Sequence, residues 1–221
     1  MSDSGSTSPL LVLGGEPPTH ELIAYLHAHR SPIVAADAGA LTLGRMGFLP
    51  DIVIGDFDSA IDAVTGLRHL HVRVVIEPQQ ETTDFEKGLA WIHGQGHSRV
   101  TLVGVGGRMF DHALNNISIV ARWSALLRIM IIERESMTQV LSGKSAVISE
   151  PGERISLIPA PRAVVTTRGL QWELRRTELA TGIREGASNR ARTTRIEVDV
   201  EEGILLLFRY PRGGVLEALK R

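Results

Sequence analysis

Short apolar runs alternate with helical segments through the first 132 residues of this 221-residue chain. Each run is followed by Gly, Asp or Glu, and the runs cover residues 10–13, 33–36, 52–54, 72–76, 100–105 and 128–132. Helical patterns are predicted between them at residues 19–29 with Thr19 as N-cap, 40–46, 81–93 with Thr82 or Thr83 as cap, and 114–127. This alternation is typical of βαβ units and predicts a mostly parallel sheet.

The pattern changes past residue 141. Short β-type runs without a long helix between them follow at residues 155–158, 163–167, 196–200 and 204–208, and residues 201–203 predict a tight hairpin between the last two. The sequence therefore predicts an α/β fold, with an N-terminal mostly parallel-sheet α/β domain followed by a small antiparallel β-sandwich or barrel domain. We expect a disordered tail at residues 1–9, the first domain at 10–140 and the second at 141–221.

The charge and the cysteine content of the chain limit the ligands and the kinds of site that it can have. The formal net charge is -1, so no overall field favours nucleic acid or a membrane surface. The first 140 residues hold 10 Lys and Arg against 15 Asp and Glu, whereas the rest hold 14 against 10. An acidic part that holds metal and a basic part would suit an anionic, metal-bound substrate, although solvated surface explains the division equally well. The absence of cysteine excludes disulfides and thiolate metal sites.

The sequence pattern predicts neither a membrane span nor an export signal. No apolar run approaches the ~20 residues that span a bilayer. The first nine residues are polar and lack the form of a signal peptide. We expect a cytoplasmic protein with no membrane or nucleic-acid partner.

Two carboxylates follow the buried strand predicted at residues 52–54. Asp56 and Asp58 are two residues apart, so in an extended chain both point the same way. They repel each other unless a cation lies between them or one of them is protonated. Mg²⁺ usually takes one or two carboxylates together with substrate phosphates, which makes a magnesium site one interpretation. The alternative is a loop whose aspartates cap a helix or are solvated.

A third acidic residue, Asp84, lies in the first turn of a predicted helix. A helix N-terminus favours a negative charge by roughly 0.3–1 kcal/mol, so a structural role is an alternative to a catalytic one. Lys87 follows one turn later on the same face, where it can meet Asp84 or a phosphate.

The stretch GVGGRMFDHALNN at residues 104–116 is typical of a phosphate-binding loop. Gly106 and Gly107 allow backbone groups to approach phosphate oxygens, and Arg108 adds a planar fork suited to phosphate. His112 and Asn115 share a helix face. The stretch matches neither the Walker P-loop nor the dinucleotide fingerprint, and a glycine-rich turn before a helix capped by Asp111 is the alternative.

These polar segments all follow apolar runs. In a parallel sheet, ligands bind beyond the carboxyl ends of the strands, near a switch in strand order. The segments at those ends predict a single site, and they are Gly14-Gly15, Asp37, Asp56 with Asp58, and Gly106-Gly107 with Arg108 and Asp111.

Taken together, the motifs resemble those of the thiamine pyrophosphokinase family. The resemblance rests on DAGA at 37–40, PDIVIGDFDS at 50–59, TTDFEKGL at 82–89 and GGRMFDHALNNI at 106–117, and it continues in GERISLIPA, TTRGLQWEL and GASN. Two positions depart from the family pattern: Ala38 stands where a second glycine is common, and Gly88 where alanine is usual. Both changes exchange one small residue for another.

The resemblance implies transfer of a diphosphoryl group from ATP to the hydroxyl of thiamine, with Mg²⁺, by a homodimer that binds thiamine between its subunits. It also implies site residues. The catalytic set would be Asp56, Asp58, Asp84 and Asp111, of which the first three hold Mg²⁺. The nucleotide side would hold Asp37, Lys87, Gly106, Gly107, Arg108, His112 and Asn115, and the thiamine side Trp172, Ser188 and Asn189.

Three alternatives remain at this point. A related pyrophosphokinase acting on a pterin alcohol would share the nucleotide motifs, and a nucleotide sensor would keep the glycines without needing three aspartates. RNA binding by residues 184–195 is disfavoured because that segment has no aromatic residues for base stacking. For Trp172, stacking on the thiamine cation and packing in a core are both open.

Overall fold

The computed structural model describes residues 8–56, 70–79, 81–107 and 109–221. The chain divides into two compact units. The first extends to Ile119 and includes Ala125–Ile129, and the second consists of Val120–Ser124 and Met130–Arg221. Within the described part of the chain, no helix is long and apolar enough to cross a membrane.

The first unit contains a parallel sheet. Its strands are β1 (Leu10–Val12), β2 (Ile33–Ala36), β3 (Ile52–Gly55), β4 (Arg73–Ile76) and β5 (Arg99–Val103). Every pairing among them is parallel, in the spatial order β5-β1-β2-β3-β4. The β1, β2 and β3 strands are buried along their whole length, which is why they read as continuous apolar runs. The predicted parallel α/β part of the fold is confirmed.

The strand order reverses at β1. The chain places β2, β3 and β4 successively on one side of β1 and then returns to add β5 on the other side. In open parallel sheets a crevice forms beyond the carboxyl ends of the strands at such a point. The residues that directly follow β1, β2, β3 and β5 are therefore the ones placed to form a site.

Four helices accompany these strands within the described residues. They are α1 (His20–His29), α2 (Ala38–Arg45), α3 (Asp84–Gly94) and α4 (Phe110–Trp123). The hydroxyl of Thr19 accepts from Leu22 N at 3.3 Å, which confirms that predicted cap. Of the two caps predicted for α3, the structure shows Thr83, which forms a capping box with Glu86. The α4 helix begins four residues before the predicted start. The sequence pattern missed its first turn because that turn is exposed and lacks an apolar periodicity.

The second unit is antiparallel. The elements are β6 (Arg128–Ile132, whose first two residues belong to the first unit), β7 (Met137–Ile148), β8 (Arg154–Arg168), β9 (Thr177–Ala180), β10 (Gly186–Arg190), β11 (Arg195–Tyr210) and a short helix, α5 (Val215–Leu219). The strands follow the order β6-β7-β11-β8-β10, with β9 paired to β8. Side chains from β8 and β11, such as Leu157 and Leu207, are fully buried in its core.

The predicted hairpin at residues 201–203 is wrong. This segment lies inside β11, which runs on through it and shifts register against β7 and β8 there. Gly203 adopts φ +79°, and a Cβ on it would lie 2.1 Å from the carbonyl oxygen of Arg162. The glycine therefore permits a bulge against a close neighbouring strand rather than a chain reversal.

Three other details differ from the sequence prediction. The runs predicted at 155–158 and 163–167 form one strand, β8, because β11 pairs with it on both sides of the bulge. The strand at 128–132, predicted as the last of the parallel series, also pairs antiparallel with β7, a pairing that the sequence pattern did not predict. The boundary placed at 140/141 falls within β7, whereas the compact units divide near residue 130; the assignment of domains remains a prediction.

Candidate active site

A cleft of about 950 Å³ lies in the first unit, at the carboxyl ends of its strands. Most of the residues that the sequence singled out line it: Gly14, Gly15, Asp37, Asp56, Asp84, Lys87, Gly106, Gly107, Asp111, His112 and Asn115. Asp58 and Arg108 lie outside the described residues. The structure thus brings segments from four strand ends into one place, although their roles remain predictions.

Asp37 follows β2 in an unusual backbone conformation. Its φ and ψ are 39° and -109°, a combination that strains a residue other than glycine. The Asp37 N–H donates to Ile54 O at 2.9 Å, and Asp37 O accepts from Ala40 N at 3.0 Å, so the backbone is fixed on both sides. This turn directs the residue into the cleft at the start of α2.

Negative charge is concentrated around Asp37. Partial burial of its carboxyl raises the pKa of Asp37 above its usual range, and the charges of Asp84 and then Asp56 raise it further. Hydrogen bonding from Ala38 and the Lys87 cation lower this pKa and offset only part of the rise. The carboxylates of Asp84 and Asp56, which come from separate elements, therefore act electrostatically on Asp37.

We expect Asp37→Asn to stabilise the fold slightly. Because the native pKa lies above the unfolded value, the ionised carboxylate opposes folding at neutral pH. This cost shrinks as the pH falls through the native pKa and disappears below the unfolded value. Asparagine also tolerates positive φ. At pH 7 the urea midpoint of Asp37→Asn should therefore lie above that of the wild type. The rise should be small, because water in the open cleft screens the charge of Asp37.

The same variant offers an internal check. At a pH low enough to protonate Asp37 in both the folded and the unfolded chain, the two proteins should unfold at the same urea concentration. A lower midpoint for Asp37→Asn at pH 7 would mean that the carboxylate stabilises the turn, contrary to this account.

Asp84 is held by a buried lysine. Lys87 is only 6% exposed, and its Nζ lies 3.0 Å from Asp84 Oδ1. Thr83 and Glu86 already cap the start of α3, so the helix does not depend on Asp84 for its cap. Of the two partners predicted for Lys87, the structure therefore shows the aspartate, and a role toward phosphate stays a prediction.

The carboxylates offer the hard oxygen ligands that Mg²⁺ prefers. Among residues 8–56, 70–79, 81–107 and 109–221, no group of three or more His, Asp or Glu side chains is placed to hold a metal ion. The predicted set also includes Asp58, which lies outside those residues. The donor chemistry and the excess negative charge around Asp37 fit a divalent cation, and the ligand set remains a prediction.

Two glycine-rich loops form one wall of the cleft. Gly15 N donates to Gly104 O at 3.1 Å, and Glu16 N donates to Gly106 O at 2.9 Å. A Cβ on Gly15 would lie 2.3 Å from both carbonyl oxygens, so only glycine fits this approach. The loop after β1 and the loop after β5 are therefore locked together.

Sequence reasoning missed Asn116. Its Nδ2 donates to Val105 O at 2.8 Å and ties the loop after β5 to α4, and the residue also lines the cleft. Glu81, Thr82 and Thr83 line the cleft as well. The sequence prediction includes Asn115, because it shares a helix face with His112. Asn116 lies four residues after His112, a spacing that gives the same signal.

The candidate thiamine residues lie in the second unit. Trp172 is 56% exposed, so it is not a core residue of that unit, and the core-packing alternative is wrong for the chain on its own. Ser188 is exposed with φ 61°, and its N–H donates to Ser156 Oγ at 3.0 Å. Asn189 is only 6% exposed.

Comparison with known proteins places both units in one family. The model for the thiamin pyrophosphokinase catalytic domain matches residues 23–132, and the model for its vitamin B1 binding domain matches residues 145–205. The chain is 29% identical to thiamine pyrophosphokinase 1 of Arabidopsis thaliana, over 79% of this chain and 70% of that protein. Thiamine pyrophosphokinase of Bacillus subtilis is 23% identical, over 80% and 86% of the respective chains.

Solved structures agree with these matches. Thiamin pyrophosphokinase from Geobacillus thermodenitrificans superposes with a TM-score of 0.76 at 26% identity, covering 91% of this chain and 96% of that one. The yeast thiamin pyrophosphokinase superposes with a TM-score of 0.77 at 16% identity, covering 98% and 89%, a likeness of fold.

Proposed function

We propose a function from the premise that this chain belongs to the thiamine pyrophosphokinase family. The chain is an ATP-dependent diphosphotransferase that moves the diphosphoryl group of ATP to the hydroxyl of thiamine. The observation that carries this conclusion is where the two family matches fall on the chain. The catalytic match covers most of the segments that form the acidic cleft, and the vitamin B1 match covers the part of the second unit that carries Trp172.

The reaction needs positioning and charge neutralisation more than covalent help from the protein. The thiamine hydroxyl oxygen attacks the β-phosphorus of ATP, the bond from that phosphorus to the α–β bridging oxygen breaks, and AMP leaves. The hydroxyl proton passes to a base within hydrogen-bond reach. Among the described residues, five carboxylates line the cleft and are available for it: Asp37, Asp56, Glu81, Asp84 and Asp111.

The nucleotide phosphates are proposed to lie along the wall formed by Gly106 and Gly107. Glycine lets phosphate oxygens approach the backbone closely, and the bond from Asn116 to Val105 holds this loop in place. Arg108, His112 and Asn115 are proposed to complete the nucleotide side. Lys87 contributes by fixing Asp84 through their 3.0 Å ion pair.

Asp56, Asp58 and Asp84 are proposed to hold Mg²⁺. When bound, the ion would neutralise charge on the phosphates and orient the leaving group. The excess negative charge that acts on Asp37 supports the proposal, because carboxylates in this arrangement repel a nucleotide unless a cation is present.

Thiamine is proposed to bind at the part of the second unit that carries Trp172, Ser188 and Asn189. The exposed indole of Trp172 supports this role, because thiamine is a cation with flat rings and an aromatic face attracts cations.

We further propose a cytoplasmic homodimer whose subunits share the thiamine site. Activity per subunit should then fall on dilution together with the dimer seen by light scattering, and a fully active monomer would contradict the assembly.

A pterin alcohol is the competing acceptor. The vitamin B1 match over residues 145–205 favours thiamine. Presenting the enzyme with ATP, Mg²⁺ and either thiamine or a pterin alcohol tests the choice directly. We expect AMP to form with thiamine alone, and AMP formation with the pterin alcohol alone would overturn the proposed acceptor.

A further inference from the structure

Trp172 is carried by a short segment, residues 169–173, that lies against the end of β10; we name it the Trp172 loop. Backbone pairing joins Leu170 to Ala191. Gln171 N donates to Arg190 O at 2.8 Å. This antiparallel pairing would next place Trp172 opposite Asn189.

At that position a side chain replaces the backbone. The Trp172 N–H donates to Asn189 Oδ1 at 3.1 Å, and Asn189 Nδ2 donates to Trp172 O at 2.7 Å. The amide of Asn189 thus makes the pair of hydrogen bonds that a peptide group makes in a sheet. The register of β10 against β8 shifts between Gly186 and Asn189, where Ser188 has φ 61°.

The hydrogen-bonding capacity of Asn189 is nearly used up by these contacts. Its Oδ1 also accepts from Arg190 N at 2.8 Å, so both lone pairs of that oxygen are engaged. One N–H of the amide group donates to Trp172 O, which leaves a single donor on a side chain that is 6% exposed. Asn189 is therefore poorly placed to recognise a ligand itself, in contrast to the open indole of Trp172.

The other side of the loop is fixed as well. Glu173 Oε1 accepts from Gly169 N at 2.7 Å and from Leu170 N at 3.0 Å, and its Oε2 accepts from Thr167 Oγ1 at 2.8 Å. Glu173 binds the first two residues of the loop and Asn189 binds Trp172, so the backbone that carries the exposed indole is hydrogen-bonded on both sides. Such preorganisation lowers the entropic cost of binding a ligand.

We propose that Asn189 is a positioning residue that acts on thiamine through Trp172, by clamping the loop that carries the indole. The proposal rests on the proposed function, in that it takes thiamine to be the ligand of Trp172. It separates two residues that the sequence motif places together: Trp172 contacts the ligand, and Asn189 holds Trp172.

A double-mutant cycle tests the clamp through thiamine affinity. Trp172→Leu should raise the thiamine Kd roughly tenfold, about the loss of a cation–π contact. Asn189→Ala should raise it by a similar factor, while the Kd for ATP stays unchanged. In the Trp172→Leu background, adding Asn189→Ala should change the thiamine Kd by less than about twofold, since residues that act through one another are not additive. Gln139→Ala, which removes an amide elsewhere in the second unit, is the matched control and should change nothing.

Asn189→Asp is an independent test, because the two possible roles of Asn189 predict opposite changes in thiamine affinity and the side chain keeps its size. The carboxylate keeps an oxygen for Trp172 N but cannot donate to Trp172 O, so the clamp weakens and thiamine binds less tightly. If Asn189 touched the thiamine cation directly, the new negative charge should instead tighten binding. Tighter binding, or independent effects that multiply in the double mutant, would overturn the proposal.

Failure of the proposed function would look different. If the wild-type protein bound no thiamine, the function itself would be wrong, whatever the variants did. The clamp is then read without ligand, from the fluorescence anisotropy of Trp172 in a Trp91→Phe/Trp123→Phe background. Asn189→Asp should lower that anisotropy, and an unchanged value would show that Asn189 does not hold the loop.

Discussion

Asp56→Asn is expected to lower kcat by at least about a hundredfold while leaving the fold intact. The change removes one negative charge from the end of β3, where the Asp56 carboxylate contributes to the charge that acts on Asp37. Asp56 is proposed to hold Mg²⁺, and losing the electrostatic stabilisation that such an ion would give the transferring phosphates typically costs ~10²–10³ in kcat. Turnover is measured as AMP release at saturating ATP, Mg²⁺ and thiamine, and the fold by thermal unfolding.

Asp51→Asn is the matched control, because Asp51 directly precedes the same strand at its opposite end. Its Oδ2 accepts from Ile33 N at 2.7 Å, a bond that the asparagine oxygen can keep. Asp51→Asn should therefore retain turnover. Equal loss of activity in the two variants would show that any charge change on β3 is harmful and that Asp56 has no special part in the chemistry.

Glu153→Ala is expected to destabilise the protein by about 3–5 kcal/mol, the usual cost of breaking a buried ion pair. Glu153 is fully buried, and its two carboxylate oxygens accept from Arg209 Nε at 2.8 Å and Arg209 Nη2 at 3.1 Å. The pair joins the start of β8 to the end of β11. Removing the carboxylate leaves a largely buried guanidinium without its anion, and urea unfolding measures the loss.

An exposed pair in the same unit provides the comparison. Arg162 Nε lies 2.7 Å from Glu178 Oε1, with both side chains about half exposed. Glu178→Ala should leave the urea midpoint nearly unchanged, because water screens such pairs. Replacing Glu153 and Arg209 together with methionine should recover much of the loss. If Glu153→Ala cost no more than Glu178→Ala, the buried pair would not stabilise the second unit.

The sequence predicted the first unit well because its signals are local. Buried parallel strands read as apolar runs, and Thr19 and Thr83 are caps that a few neighbouring residues define. The grouping of strand-end residues into one cleft followed from a general property of parallel sheets. In the first unit the local sequence pattern and the fold agree, so most of its elements could be predicted.

The second unit was harder because its decisive contacts are distant in sequence. Nothing near Gly203 indicates that Arg162 O lies against it, and the glycine therefore resembled a hairpin turn. The same limit applies to function. The motif placed Asn189 beside thiamine, whereas the contacts of its amide with Trp172, 17 residues away, appear only in the folded chain.

The measurement that tests the account most directly is a count of the products formed from ATP, Mg²⁺ and thiamine. The account predicts one AMP for each thiamine diphosphate, because the β- and γ-phosphates move together. The rate at which both products form should fall in Asp56→Asn and be kept in Asp51→Asn. ADP in place of AMP would mean that a single phosphoryl group is transferred. ADP, or no thiamine diphosphate at all, would contradict the assignment of diphosphoryl transfer to this cleft.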